Sequence, residues 1–487
     1  MASDLKRQSN RHSGPTAATP WGANRLPGRL LAWQRADLRR HGDGAAPGGE
    51  PGLSSPPPAT AAGILGPLFK ALFPEGPPVR FVFWDQSAIG PAGPSASWGS
   101  SGSSGAAVIR SPNALRRIVW SPNELGLARA FVAGDLDVDG DMYGVLRALH
   151  ESLGTLRLRG PQAIATGLSA AARLGALRPP LKHPDVEVRL SGWLHSQRRD
   201  ASAIKHHYDI SEDFYRIVLG PAMTYSCARW EPGQTSLEDA QRSKHDLICR
   251  KLGLQDGPHM RLLDVGCGWG SMALHAANTY GARAVAITLS PAQAVSARVR
   301  AFDAGALSNV EVRLQDYRDV RGETFDAISS IGMFEHVGTK QVPEYFDRLF
   351  SLLVPGGRLL NHAISKPGGK KMRGATFINR YVFPDGELID VADVVREMER
   401  AGFEVRDVES LREHYAKTLR AWVTNLEASW DDAVKLVGEP RARVWRLYMT
   451  GSANGFEEGA IAVHQVLGVR PRADGTSSMP ATRAGWG

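Results

Sequence analysis

Between about Met260 and Arg470 short apolar runs recur, each followed by a stretch long enough for a helix. MRLLDVG, ARAVAITLS, VEVRLQD, FDAISSIG, GGRLLNHAIS and FEVRDVESL read as strands, and AIAVHQVLG as a last one. Strands alternating with helical stretches predict an α/β fold with a doubly wound parallel sheet. Upstream the pattern differs. VRFVFWD alternates like a strand, AAVIRS is a second strand candidate, and PAGPSASWGSSGSSG between them reads as a flexible loop. SPNALRRIVW and SPNELGLARAFVAG predict two short helices, each with Ser as N-cap and Pro at the first helical position. With DLDVDGDMYGVLRALH they form a small α+β N-terminal domain.

The flanks carry little apolar periodicity. Residues 1–76 are rich in Pro, Gly, Ala and Ser, as in GDGAAPGGEPGLSSPPPATAAG, and read as a disordered tail; residues 471–487 read likewise. Arg35, Arg39 and Arg40 in the first tail read as solvated charge rather than as a binding arm. The expected domains are therefore 77–185, including a basic connector, and 186–470. From Ser152 to Pro184 there are basic residues but no acidic ones: Arg157, Arg159, Arg173, Arg178 and Lys182, interspersed with Leu153, Leu156, Leu158, Ile164, Leu168, Leu174 and Leu177. Such a segment suits an anionic membrane surface, and equally a helix packed on a neighbour with its Arg side chains wet.

Composition narrows this picture. The chain has 487 residues, 43% of them hydrophobic and 22% charged, enough for two cored domains. A net charge of +8 favours an anionic partner, bilayer or nucleic acid, without choosing between them. Cys227, Cys249 and Cys267 make neither a disulfide framework nor a C-x-x-C zinc pair, so no metal is expected. Asp135, Asp137, Asp139 and Asp141 lack the closing glutamate of a calcium loop and read as a polar turn. MASDLKRQSNRHSG has no apolar region of a signal peptide, and AAGILGPLF stops at Lys70, short of a bilayer span. The expectation is a cytoplasmic protein whose membrane contact is peripheral.

The sharpest chemical signal is LLDVGCGWGSMALHAA, residues 262–277. A strand ends near Asp264, Gly266, Gly268 and Gly270 follow, and a helix begins. Glycines allow a tight turn and a close ligand approach. The spacing is G-x-G-x-G, not the G-x-G-x-x-G of dinucleotide folds. D-x-G-x-G-x-G after a first strand is typical of S-adenosylmethionine methyltransferases, with Asp264 organising the loop or binding the cofactor's amino-acid end. The second strand ends in Thr288, Leu289 and Ser290, with Gln293 beyond, where most such enzymes place a carboxylate for the ribose. An amide can bond a diol without charge. Asp316 and Tyr317 end the third strand and could hold the adenine by its amino group and its face.

HHYDISEDFY, MTYSCARWE, LDVGCGWGS, TLSPAQ, QDYRD, GMFEHVG and NRYVFPDG carry a resemblance over residues 79–470. The chain resembles the cyclopropane-fatty-acyl-phospholipid synthases, with the mycolic-acid cyclopropane synthases and 10-methylene fatty acid synthases. SPNELGLARAFVAGDLDVDGD resembles the extra N-terminal domain of the phospholipid-acting members. The resemblance implies a class I, Rossmann-like methyltransferase sheet. It implies cofactor contacts at Tyr225 and Ser226, along Asp264 to Ser271, from Thr288 to Gln293, and at Asp316 and Tyr317. It also implies bicarbonate as base, held by Cys227, Glu335, His362, the backbone at Ile364, and Tyr415. One departure stands out: many members carry Cys where YMTGSANGF places Ser452, which argues against an obligatory thiol there.

The implied reaction joins a sulfonium methyl to a cis olefin, so reactants must be aligned and water excluded. A carbocation forms on the acyl chain, which aromatic faces can stabilise. Tyr208, Phe334, Tyr381, Phe383, Trp422 and Tyr448 are candidates, each also explicable as core. Glu335 could equally cap a helix, and His362 could be a satisfied core histidine. The expected substrate is an unsaturated phospholipid at the inner membrane surface, with no nucleic-acid partner. A homodimer, and a reductase where the product is a methylene acid, stay open. The cyclopropane is the expected product and the 10-methylene chain the alternative. Two other readings compete: the same fold with a small-molecule or RNA acceptor, and a non-catalytic lipid-binding scaffold. No RNA-binding module and no N/D-P-P-Y/F motif supports the first.

Overall fold

A computed structural model describes residues 59–91, 105–153, 161–188, 211–257, 259–369, 376–384 and 386–486. Tyr208, the HHYDI half of its motif, residues 1–58 of the first tail and most of the PAGPSASWGSSGSSG loop lie outside the described residues.

Seven strands form the main sheet: β5 (Arg261–Val265), β6 (Arg283–Thr288), β7 (Val310–Leu314), β8 (Phe325–Ile331), β9 (Leu353–Ser365), β10 (Glu404–Ser410) and β11 (Ala462–Val469). Their order is β10-β11-β9-β8-β5-β6-β7. Every predicted strand is present. Neighbours are parallel except β11, which runs antiparallel to both β10 and β9. The sheet is thus doubly wound but not wholly parallel. The chain order reverses between β5–β6–β7 on one side and β8–β9 on the other, and α/β sheets bind ligands at such a switch point. β5 is sealed on one face by the helices Leu237–Leu252 and Ser271–Tyr280 and on the other by Val342–Leu352.

A smaller sheet, β2-β1-β3-β4, joins Ala88–Ile89, Arg80–Phe83, Gly105–Ile109 and Leu136–Gly140. It packs with the main sheet's flank in one compact unit, Ala59–Gly487. Buried Arg443, on the helix Glu439–Glu457, reaches into it: Nε donates to Phe131 O at 2.6 Å and Nη1 meets Asp137 at 3.2 Å.

Four local expectations need correction. The predicted first tail contains a helix, Ala61–Leu72, capped by Thr60, whose Ala61 and Leu65 are buried against Phe83, Ile109 and Ala170. Its i, i+4 apolar pair was diluted by the Pro and Gly around it. The C-terminal stretch is likewise held: Trp486 is buried in the core, and Arg483 meets Asp407 at 2.8 Å. The second short helix starts at Glu124, capped by Asn123 rather than Ser121, because Ser121 already closes the preceding helix. Finally, Asp137 and Asp139 lie on a strand rather than in a turn, with Asp135 and Asp141 flanking it. Asp135 is paired with Arg117 at 2.9 Å and Asp137 with Arg110 at 2.6 Å.

The basic connector forms a helix over Pro161–Arg173. It buries Ala170 and Ala171 but leaves Ile164 and Leu168 50% and 55% exposed. No helix among the described residues is long and apolar enough to cross a membrane.

Candidate active site

β5 ends in Asp264 and Val265, and the glycine turn then bends into the helix Ser271–Tyr280. Gly266 and Gly268 have φ of +75° and +54°, a left-handed backbone that other residues adopt only at a cost. A Cβ on Gly266 would lie 2.8 Å from Met333 Cβ, whereas one on Gly268 would meet nothing within 4 Å. The open side of Gly268 is a cavity, and the glycines that border it leave room for a ligand.

That cavity gathers most of the predicted cofactor contacts. Tyr225, Ser226, Asp264, Gly266, Gly268, Thr288, Leu289, Gln293, Asp316 and Tyr317 all line it. Gly270 and Ser290 do not line it. Gly270 starts the helix and lets it approach Ala297, and Ser290 Oγ caps the next helix by accepting from Gln293 N at 3.3 Å. Thr288 Oγ1 donates to Gln293 Oε1 at 2.8 Å, which turns the Gln293 amide NH2 outward for an acceptor. Asp316 is paired with Arg318 at 2.7 Å. Asp264 is buried, with Oδ1 accepting from Ser329 Oγ at 2.7 Å and Oδ2 without a partner; burial pushes its pKa up to about 6. An unsatisfied buried carboxylate oxygen at a cavity wall fits the ammonium of an amino-acid ligand.

The predicted base residues sit behind this wall, none of them on it. Glu335 lies in the short turn after β8, and Ile364 N donates to its Oε1 at 2.7 Å. The Ile364 amide therefore aims the carboxylate rather than standing free for another ligand. Glu335 Oε2 is buried and has no partner, and desolvation pushes the group up to about 7. His362, on β9 two residues before Ile364, is 2% exposed, with Nε2 likewise without a partner. Its tautomer follows from a relay. Buried Lys251 donates to Gln465 Oε1 at 3.0 Å, so Gln465 Nε2 faces His362 Nδ1 at 3.2 Å and must donate. His362 then carries its proton on Nε2. Cys227 Sγ lies 3.2 Å from Ala228 O and 3.6 Å from Leu411 O as acceptors, and burial pushes its thiol well up, so only its backbone is left for the implied ligand role. Leu411 N in turn bonds Val463, the partner of Ile364 across the β11–β9 ladder, and Tyr415 follows one turn on. These contacts set Cys227, Glu335, Ile364 and Tyr415 on neighbouring segments, with His362 two residues before Ile364 on the same strand.

Aromatic rings adjoin both groups. Tyr225, on the cavity wall, lies 5.3 Å from Trp422 and 5.6 Å from Trp445, and its hydroxyl meets that of Tyr448 at 3.3 Å. Phe383 stacks edge-on against Tyr448 at 5.6 Å, and Tyr415 lies 6.0 Å from Trp422. Two ring expectations change. Phe334 is enclosed with Tyr345 and Phe346 in a separate core cluster. Tyr381 spends its hydroxyl on Glu187 at 3.0 Å, beside Arg129. Trp445, Lys244 and the Lys251–Gln465 relay were missed. Their one signal is that Lys244 and Lys251 fall on the buried stripe of the helix Leu237–Leu252, with Ala240, Leu247 and Ile248.

A glycine turn at the carboxyl end of the central strand, opening on such a cavity, on this strand order, defines an S-adenosylmethionine-dependent methyltransferase. The chain belongs to the mycolic acid cyclopropane synthetase family, whose profile matches residues 195–466. A "probable fatty acid methyltransferase" of Mycobacterium tuberculosis is 43% identical over 380 residues, 76% of this chain and 88% of that protein. The cyclopropane-fatty-acyl-phospholipid synthase of Escherichia coli is 33% identical over 370 residues, 74% and 86% of the two chains. The solved structure of mycolic acid cyclopropane synthase CmaA1 with SAH and CTAB matches 55% of this chain and 97% of its own, with 36% identity and a TM-score of 0.52.

Proposed function

We propose that the protein transfers a one-carbon unit from S-adenosylmethionine to the cis double bond of an unsaturated phospholipid acyl chain and closes a cyclopropane. The observation that carries this reading is Tyr225, which belongs at once to the cofactor cavity and to the ring cluster of Trp422, Trp445 and Tyr448. A methyl donor seated against Tyr225 would meet an olefin lined by aromatic faces, which stabilise the cation left by methyl transfer. One of the new methyl's hydrogens then leaves as a proton and its C–H electrons close the ring.

Bicarbonate, when bound, supplies the oxygen that takes this proton. Glu335 Oε2 can accept from its hydroxyl, while the His362 Nε2 proton and the Tyr415 hydroxyl can donate to its other oxygens; the two unpartnered buried atoms support that fit. The Lys251–Gln465 relay holds His362 as the donor tautomer. The ring cluster keeps water from the cation.

Membrane work at the inner face is supported by exposed Trp120, Ile164, Leu168 and Leu177 beside Arg173 and Arg178. A second reading, a 10-methylene chain that a reductase would then convert to a methyl branch, needs the same methyl transfer and is as compatible with the 43% identical probable fatty acid methyltransferase. Proton NMR of acyl esters from a host supplied with the enzyme separates the two. Far-upfield ring protons support the cyclopropane, vinylidene signals the second reading, and an unaltered olefin beside methylation of another acceptor overturns both.

A further inference from the structure

The cofactor cavity holds a buried lysine that makes no ion pair among the described residues. Lys244 projects from the helix Leu237–Leu252, is 1% exposed, and lines the cavity wall. Its Nζ donates to Ser226 Oγ at 2.9 Å. Among the described residues no carboxylate lies within salt-bridge distance of it. Cys227 does not fill the gap, because burial keeps its thiol protonated, facing the Ala228 and Leu411 carbonyls. His245, beside it on the same wall, is held neutral by burial. Burial pulls the Lys244 amine down to about 7 against the opposing charge of Asp264, and a ligand that brings a further anion beside it would hold it charged.

Opposite in sign and on the same wall stands Asp264, with Oδ2 unpartnered. One helical turn before Lys244, Gln241 Nε2 donates to Ser226 O at 2.9 Å, so this helix holds both the cation and the serine it bonds. A buried cation, a hydroxyl and a buried carboxylate on one wall complement a free α-amino acid terminus.

We propose that Lys244, with Ser226 Oγ, receives the α-carboxylate of S-adenosylmethionine, while Asp264 faces its ammonium. This rests on the reading of the cavity as the cofactor site and deepens it by assigning the carboxylate. The bound carboxylate also separates the Lys244 charge from the sulfonium, and nucleosides lacking that carboxylate are disfavoured.

Calorimetry on the full chain tests this with two probes, S-adenosylhomocysteine and its decarboxylated analogue. The wild type should prefer the carboxylated probe by about thirtyfold or more, the effect of truncating one partner of a buried charge pair (~2 kcal/mol). Lys244→Met should abolish the preference while binding the decarboxylated probe within about twofold of wild type. Equal weakening of both probes, or a retained preference, overturns the proposal. Should Lys244→Met not fold, Lys244→Gln takes its place, and a wild type without preference overturns the proposal by itself. A wild type that binds neither probe overturns the cofactor reading of the cavity, and this assignment with it.

Discussion

Gly268→Ala separates the cofactor site from the fold. The residue sits at φ +54°, and a non-glycine residue in the left-handed region costs about 1–2 kcal/mol. Nothing lies within 4 Å of the added methyl, so no steric term joins that cost. The methyl stands in the cavity, where the ligand would have to yield. Gly266→Ala is the control. Its backbone, at φ +75°, carries a similar cost, but its methyl would lie 2.8 and 2.9 Å from Met333 Cβ and Cγ. Such overpacking adds about 1–3 kcal/mol. Urea unfolding of the ligand-free proteins should therefore rank wild type, Gly268→Ala and Gly266→Ala in falling order with an unchanged slope. Calorimetry with S-adenosylhomocysteine should show Gly268→Ala weakened by about tenfold or more, about 1.4 kcal/mol. Wild-type affinity in Gly268→Ala, or a stability loss matching that of Gly266→Ala, would falsify this account of the turn.

Glu335→Gln keeps an oxygen for Ile364 N but removes the anionic acceptor, so turnover should fall about a hundredfold or more at unchanged S-adenosylhomocysteine affinity. Burial raises Glu335 to about 7 from its ordinary 4.5, so wild-type turnover should climb as pH rises through about 7, and an acid limb surviving in Glu335→Gln argues against this assignment. The same shift works against stability: the folded state favours the protonated acid, so this group's contribution declines from pH 4.5 to about 7, and Glu335→Gln should unfold no earlier than wild type at pH 8. Ser452→Ala should leave turnover within about twofold, because a serine without an activating base is a weak nucleophile; a deep loss would give the hydroxyl a direct role. Leu168→Ala should weaken sedimentation with anionic vesicles about fivefold, from loss of roughly 1 kcal/mol of apolar burial, and added salt should weaken wild type and variant alike. Binding indifferent to both places membrane contact elsewhere.

What the sequence determined is local. Alternating runs specify β5 to β11, because a strand's burial is written in its own consecutive residues. Gly266 and Gly268 were legible because their backbone excludes other residues. The family motifs marked Glu335, His362 and Tyr415, although spacing alone allowed a cap or a core histidine. The tertiary structure decided whatever depends on meetings across the chain. It reversed β11 between β9 and β10, and drew Phe334 into a core with Tyr345 and Phe346. It brought Lys251 to Gln465, 214 positions away, and so selected the proton on His362. It also set Lys244 and Asp264 on one wall. Charge in a sequence carries no address. Whether a lysine is solvated or buried without an ion pair depends on which distant segments close around it, and that desolvation makes it chemically specific.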